Sequence, residues 1–441
     1  MTGDAPCPGL LGPALAAYGW LWRAARPCLA RHRRLKEGFA ERLVPDGWAR
    51  PADLWIQAAS GGEAYLVWTL LRQAAKDRGA GRSPDMLLTT CTRQGHEVLS
   101  KAAKWFAAET GLPAPQVRFF PLDEPGLMAR ALVQAAPRAV LLLETELWPG
   151  FLQACRAASV PVLVGNGRLT AKSLRRYKLI PAAWWAYFAP QRILAMSEAD
   201  AARFAALFGE ERVEPMPNLK FESLLEAAAP TADVGRFFPP QDQVPVILFA
   251  STRKAELKPV AEAVGLTRRA APEAIVVLAP RHLHHVPLWQ NVLAAEGGAV
   301  KLRSQTDGGG DTAFLPGDIV IWDVFGELTA LYAQARAAFV GGSLAPLGGQ
   351  NFLEALSQGV APVLGPSWDN FAWAADFVAP AGQAAVAANA AEVAQYLARQ
   401  ASAPRDRAAV RESFYTAVRS RQGGAAILWA AVREVTWERT I

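Results

Sequence analysis

The strongest constraint on this chain is a set of short, predominantly apolar runs separated by stretches of helix length. Ala139-Val140-Leu141-Leu142-Leu143 is the clearest of them. A strand with one face in water alternates apolar and polar residues. A run that never alternates has both faces covered, which helices on either side of a parallel sheet accomplish. Runs of strand length that are mostly apolar, with Gln57, Thr89, Thr90, Arg118 and Arg192 as the polar positions, recur at residues 54–58, 86–90, 117–120, 161–164 and 192–195. After a break they resume at 246–250, 274–279, 319–321, 338–340 and 362–364. The expectation is an α/β chain of two Rossmann-like, doubly wound domains, and 441 residues suffice for two cores.

The break is Ala-rich and then reads Phe238-Pro239-Pro240-Gln241-Asp242-Gln243-Val244-Pro245. The expected organisation is an N-terminal segment 1–36, a first domain 37–225, a linker 226–245, a second domain 246–425 and a C-terminal helix 426–441, the last forty residues reading as helical and able to cross back to the first domain. Residues 304–311, polar with three consecutive glycines, are expected to form a flexible loop. With 51% hydrophobic and 20% charged residues the chain is globular and not disordered. A net charge of +6 is too modest to indicate a nucleic-acid partner. Cys7, Cys28, Cys91 and Cys155 form no CxxC pair and no metal-ligand grouping, which fits a reduced, cytosolic setting.

Charge is distributed unevenly at the N-terminus. Residues 10–22 are uncharged and rich in Leu, Ala and Trp, including Trp20 and Trp22. Residues 23–36 carry Arg23, Arg26, Arg31, Arg33, Arg34 and Lys36 with no acid. The apolar part is short of the roughly 20 residues that span a bilayer, and apolar-then-basic is the reverse order of a secretory signal. An interfacial anchor on an anionic membrane surface fits both halves, whereas a surface helix packed on the first domain fits the apolar face alone.

Ligands of doubly wound sheets bind beyond the carboxyl ends of the strands, so the strand ends nominate a site, expected in a cleft between the domains. In the first half these are Ser60-Gly61-Gly62-Glu63, Thr90-Cys91-Thr92, Asp123, Glu144-Thr145-Glu146 and Asn166-Gly167-Arg168. In the second they are Ser251-Thr252, Pro280-Arg281-His282, Asp323 with Phe325-Gly326-Glu327, and the stretch from Gly341-Gly342 through Gly348-Gly349-Gln350-Asn351-Phe352-Leu353-Glu354. Two glycine pairs before a helix capped by Asn351 let backbone approach a ligand, with N–H groups and the helix start facing a phosphate. The spacing is neither GxGxxG nor a Walker loop, and Glu354 could accept from ribose hydroxyls. Plainer roles exist for several of these residues. Glu63 suits a first helical turn on dipole grounds alone, and Glu144 and Glu146 could pair with Arg168 or Lys172. His282, His284 and His285 lack a carboxylate or Cys at ligand spacing, so they read as surface or capping residues and not as a metal site.

Taken together, the ordered blocks resemble the 3-deoxy-D-manno-octulosonic acid (Kdo) transferases, GT-B-fold glycosyltransferases of lipopolysaccharide core assembly. The likeness is carried by Ala59-Ser60-Gly61-Gly62-Glu63, Glu144-Thr145-Glu146-Leu147-Trp148-Pro149, Asn166-Gly167-Arg168-Leu169-Thr170, Asn218-Leu219-Lys220-Phe221, Ala279-Pro280-Arg281-His282, Gly326-Glu327-Leu328 with Leu331-Tyr332, and the glycine stretch. It covers roughly residues 35–425. The resemblance implies transfer of Kdo from CMP-Kdo to a lipid A precursor at the cytoplasmic face of the bacterial inner membrane, with inversion and with neither metal nor cofactor. It implies Glu63 as general base and Glu144 with Lys220 as the pair stabilising the transition state. CMP binding then falls to Pro280 and Arg281, to Phe325, Gly326 and Glu327, and to Asn351, Phe352, Leu353 and Glu354 beside Gly341, Gly342, Gly348 and Gly349. Gln57 stands where the family usually has His. Gln350 and Phe352 replace a His and a Pro, and Arg253-Lys254-Ala255-Glu256 replaces a His-x-Gly-Glu pattern. Two other readings are a GT-B isomerase similar to the nucleotide-sugar 2-epimerases and a membrane-bound relative without chemistry.

Overall fold

The computed structural model describes residues 9–32, 35–77, 84–224, 232–240, 242–296, 299–306, 314–378, 383–403 and 406–438. Arg33, Arg34, Cys7, residues 307–311 of the expected loop and residues 226–231 and 241 of the expected linker lie outside them. The chain forms two compact units, Met1–Ser223 with Arg421–Ile441, and Leu224–Ser420.

Each unit is built on a seven-stranded, wholly parallel sheet. The first contains β1 (Leu54–Gln57), β2 (Met86–Thr90), β3 (Gln116–Phe119), β4 (Ala139–Leu143), β5 (Val162–Gly167), β6 (Arg192–Ala195) and β7 (Val213–Pro215), in the order 3-2-1-4-5-6-7. The second contains β8 (Val246–Thr252), β9 (Ile275–Pro280), β10 (Val300–Leu302), β11 (Ile319–Ile321), β12 (Ala337–Val340), β13 (Pro362–Leu364) and β14 (Ala385–Val386), in the order 10-11-9-8-12-13-14. The apolar-run criterion misses β7, β10 and β14. All three are edge strands and only partly buried, so nothing requires them to be apolar throughout.

Burial on both faces is visible residue by residue. Trp55 of β1 packs with Phe120 and Phe151 on one side of the first sheet, while Leu54 and Ile56 pack with Leu70 and Leu71 on the other. The helix Gly424–Arg433 closes that second side with Leu428, Trp429 and Val432. At about 1.5–3 kcal/mol for each such side chain, this burial is what returns the helix Gly424–Arg433 from beyond the second unit to the first.

The N-terminal segment is not separate from the first unit. Its helix, Leu11–Arg31, buries Leu11 and packs Leu15, Trp22 and Leu29 on the Trp55 side of the core. Tyr18 donates to Asp123 at 2.8 Å, and Arg23 and Arg26 both pair with Glu124. Leu10, Trp20 and Leu21 stay 77%, 64% and 59% exposed. Part of the expected linker is likewise core, since Phe237 and Phe238 pack against Phe314 and Trp322 in the second unit.

Candidate active site

Strand order alone selects two crevices. In the first sheet the order reverses between β1 and β4, and in the second between β8 and β12. Loops leaving adjacent strands at such a point diverge to opposite faces and leave a gap for ligand.

At the first reversal, β1 leads to Glu63 and β4 leads to Glu144 and Glu146. Ser60 caps the helix Gly61–Lys76, accepting from the Glu63 amide, while the Glu63 carboxylate accepts from the Ala59 amide at 2.7 Å and the Ser60 hydroxyl at 2.8 Å. This reciprocal cap fixes the carboxyl group in place. Burial, then the charge of Glu146, pushes Glu63 from the usual 4.5 up to about 7, against the cap bonds that favour its ionised form. Burial raises Glu146 as well. It accepts from Trp148 Nε1 at 2.6 Å, and Gln57, fully buried, bridges it to Thr89 and Trp55 through side-chain hydrogen bonds. The Gln at position 57 therefore sits beneath the carboxylate cluster as a hydrogen-bonding strut.

Lys220 reaches this group from a distant part of the chain. Its ammonium lies 2.9 Å from Glu144 Oε1, so the expected ion pairing of Glu144 to Arg168 or Lys172 is replaced by a pair with Lys220. Asn166, at the end of β5, accepts from the Leu219 amide at 2.9 Å and thereby holds the Lys220 segment. Glu144 and Asn166 both have left-handed backbone, φ 57° and 51°. Such conformations are costly for residues with a Cβ and cluster at functional sites. Asp123, also at a strand end, is a structural carboxylate. It accepts from Tyr18 and from the amides of Gly150 and Phe151 at the start of the helix Pro149–Ala157.

At the second reversal the glycine stretch is organised by a residue absent from the expected set. Glu256, fully buried, accepts from the amides of Gly342 at 2.6 Å, Arg253 at 2.9 Å and Leu344 at 3.3 Å. Gly341 donates to Ala250, Gly348 to Ser367, Gly349 to Gly342 and Gln350 to Gly341. The glycine amides expected to face a phosphate are thus engaged within the protein, and a glutamate takes the place of the anion. A Cβ on Gly341 would lie 2.5 Å from Glu256 Oε1 and 2.7 Å from Thr252 Cα, which is why that position admits no side chain. Helix placement shifts too. The helix is Leu353–Ser357, and Asn351 caps it from outside by accepting from the Leu353 amide at 3.2 Å.

The remaining expected residues divide by exposure. Asn351 Nδ2 donates to Glu354 at 2.8 Å; burial raises the Glu354 carboxyl, and the nearby Arg281 charge lowers it. Arg281, exposed after β9 and Pro280, Asn351 and Glu354 thus form one polar group. Phe352 and Leu353 point into the core, 0% and 1% exposed, and serve as its support. Glu327 is held by Trp322 Nε1 at 2.9 Å and by Arg303, leaving Phe325, 77% exposed, and Gly326 at the tip of their loop. His282, His284 and His285 lie on the turn after β9, where burial and then the charges of Arg253 and Arg281 lower His282. Among the described residues no group of three His, Cys, Asp or Glu could hold a metal ion.

Comparison with known proteins gives these positions a context. A family model described as 3-Deoxy-D-manno-octulosonic-acid transferase (kdotransferase) matches residues 32–223. A 3-deoxy-D-manno-octulosonic acid transferase of Bordetella pertussis is 33% identical over 414 residues, 92% of this chain and 92% of its own length. Among solved structures, a glycosyltransferase from Rickettsia africae aligns with TM-score 0.55 at 11% identity, over 87% of this chain and 98% of the other. A putative UDP-N-acetylglucosamine 2-epimerase from Listeria monocytogenes gives 0.54 at 11%, over 88% and 97%. Those two likenesses show the GT-B fold, which sugar transfer and sugar isomerisation share.

Proposed function

Because the chain belongs to the 3-deoxy-D-manno-octulosonic acid transferase family and is a glycosyltransferase, we propose that its donor is CMP-Kdo and its acceptor a lipid A precursor. The observation that carries the mechanism is Glu63, a carboxyl fixed by two hydrogen bonds with its pKa raised to about 7. A base poised near the working pH combines the right protonation state with useful proton affinity. The acceptor hydroxyl oxygen attacks the anomeric carbon, its proton passes to Glu63, and the bond to the CMP phosphate breaks with its electron pair leaving on CMP. Attack opposite the departing group inverts that carbon. Lys220, held by Glu144, meets negative charge that develops in the transition state. Arg281 neutralises the single phosphate of the donor, Glu354 and Asn351 accept from and donate to the nucleotide, and no metal is invoked.

The test is mass spectrometry of the purified protein with CMP-Kdo and a tetra-acylated lipid A precursor in EDTA. A mass increase of one or more Kdo units is expected; an unchanged acceptor, with the donor intact, refutes the assignment. Lys220→Ala is expected to lower kcat roughly 10²–10³-fold in the same assay, with little change in the KM for donor.

We further propose that the protein works on the cytoplasmic face of a bacterial inner membrane. No helix among the described residues is long and apolar enough to cross a membrane. Support comes from the exposed Leu10, Trp20 and Leu21 on a helix whose other face is packed. Replacing Trp20 and Leu21 together by Ser is expected to weaken binding to anionic vesicles by roughly two orders of magnitude, read by co-flotation, with thermal stability unchanged.

A further inference from the structure

A second feature of the first unit lies beside the carboxylate cluster. The N-terminal helix, the helix Pro149–Ala157 and the helix Ala182–Tyr187 enclose a cavity of about 140 Å³. Leu11, Leu15, Leu152, Ile180, Trp184 and Phe188 are among its walls. Tyr18 and Trp185 also line it but turn their polar hydrogens elsewhere, to Asp123 at 2.8 Å and to the Tyr177 carbonyl at 2.9 Å. An apolar cavity of this kind holds water poorly and takes an apolar guest readily.

Two neighbours of the cavity indicate what that guest is attached to. Leu147 and Pro149 of its wall belong to the segment that carries Glu144 and Glu146. Along the chain there is no Asp or Glu between Glu146 and Glu198, while Lys172, Arg175, Arg176 and Lys178 stand exposed on and just after the helix Ala171–Tyr177. Leu179, 84% exposed, leads from them into Ile180 of the cavity wall. An apolar slot whose wall runs on one side into the segment bearing Glu144 and Glu146, and along the chain on the other into a stretch of exposed lysines and arginines, matches an amphiphile with a phosphorylated head and a hydrocarbon tail.

We propose that this cavity seats one acyl chain of the lipid acceptor, with the exposed Lys172, Arg175, Arg176 and Lys178, just ahead of Ile180 in the chain, meeting the acceptor's phosphates. The proposal rests on the transferase reading above and deepens it. The acceptor, not a bulk bilayer lipid, is the source of the chain because the wall is continuous with the segment bearing Glu144 and Glu146. Seating the chain there would bind the acceptor and set the depth at which its hydroxyl is presented.

The test is Ala14→Phe, which places a ring into the cavity from the half-buried Ala14 of the N-terminal helix. Each buried methylene is worth about fourfold in affinity. Displacing two or three is expected to raise KM for the tetra-acylated acceptor roughly 15- to 60-fold at unchanged kcat, with no effect on the deacylated acceptor. An unchanged ratio of the two KM values overturns the seat. Photo-crosslinking of the wild-type protein with an acceptor bearing a diazirine at the end of one chain gives a readout that needs no turnover. Crosslinks are expected in peptides covering residues 10–23 and 179–192. Crosslinks there without Kdo transfer support the seat while refuting the transferase reading; transfer without crosslinks there overturns the seat alone. Labelling of those peptides by diazirine-bearing phosphatidylglycerol vesicles but not by the acceptor overturns the assignment to the acceptor.

Discussion

Glu63→Gln is expected to reduce Kdo transfer by roughly 10²–10⁴-fold, the usual contribution of a positioned base, while leaving nucleotide binding unchanged. The nucleotide-binding residues proposed here, Arg281, Asn351 and Glu354, all belong to the other compact unit. In the wild-type enzyme kcat/KM should climb about tenfold per pH unit towards about 7 and level off above it, because the base must be ionised. Retention of that acid limb in the Gln variant would assign it to another group.

The same substitution should stabilise the protein. Glu63 titrates at about 7 when folded against 4.5 ordinarily, so between those values the folded state binds more protons than the unfolded chain. Stability is therefore lost as pH rises through that window, and the carboxylate's cost is fully present above it. At about 1.4 kcal/mol per pH unit, and allowing for one lost cap bond, Gln should gain roughly 1–3 kcal/mol at pH 8 and almost nothing near pH 4.5. Thermal unfolding at the two pH values checks this. An inactive protein that is more stable at pH 8 is the signature of a carboxylate kept for chemistry.

Glu256→Ala is expected to have the opposite profile, a large loss of stability with loss of nucleotide binding as its consequence. The carboxylate is fully buried and accepts from at least three backbone amides. Stranding two or three of them at ~1–3 kcal/mol each gives about 3–5 kcal/mol, a fall of roughly 10 °C in the unfolding midpoint of a unit this size. Glu256→Gln keeps one acceptor oxygen and should lose about half as much. CMP binding by calorimetry, measured well below the midpoint, should fail in the Ala variant and weaken in the Gln variant. Normal binding in Glu256→Ala would show that the glycine stretch holds its shape without that carboxylate.

Much of this was legible in the residues. Parallel strands covered on both faces are predominantly apolar, so the central strands β1, β2, β4, β5, β6, β8, β9, β11, β12 and β13 announce themselves, and with them the strand ends where Glu63, Glu144 and Arg281 lie. The Ser60-x-x-Glu63 cap is equally local, because the reciprocal bonds join residues three apart. Edge strands carry no such demand: β7, β10 and β14 were silent, and β3 alone of the edge strands showed a run.

What only the tertiary structure decided are the long-range pairings. Lys220 meets Glu144 across 76 positions, and Glu256 reaches Gly342 across 86. No periodicity encodes either contact. They exist because parallel strands bring all their carboxyl ends to one edge of a sheet, whatever their separation along the chain. The glycine stretch looked like a ready-made anion site because glycine amides are accessible in sequence. The fold brings a buried glutamate to them first, since a buried amide must find an acceptor and β8 delivers one to the start of the next helix. The N-terminal helix shows the same division. Its composition marked an amphipathic element, but only packing settled which residues face the core, Leu11, Leu15 and Trp22, and which remain outward, Leu10, Trp20 and Leu21.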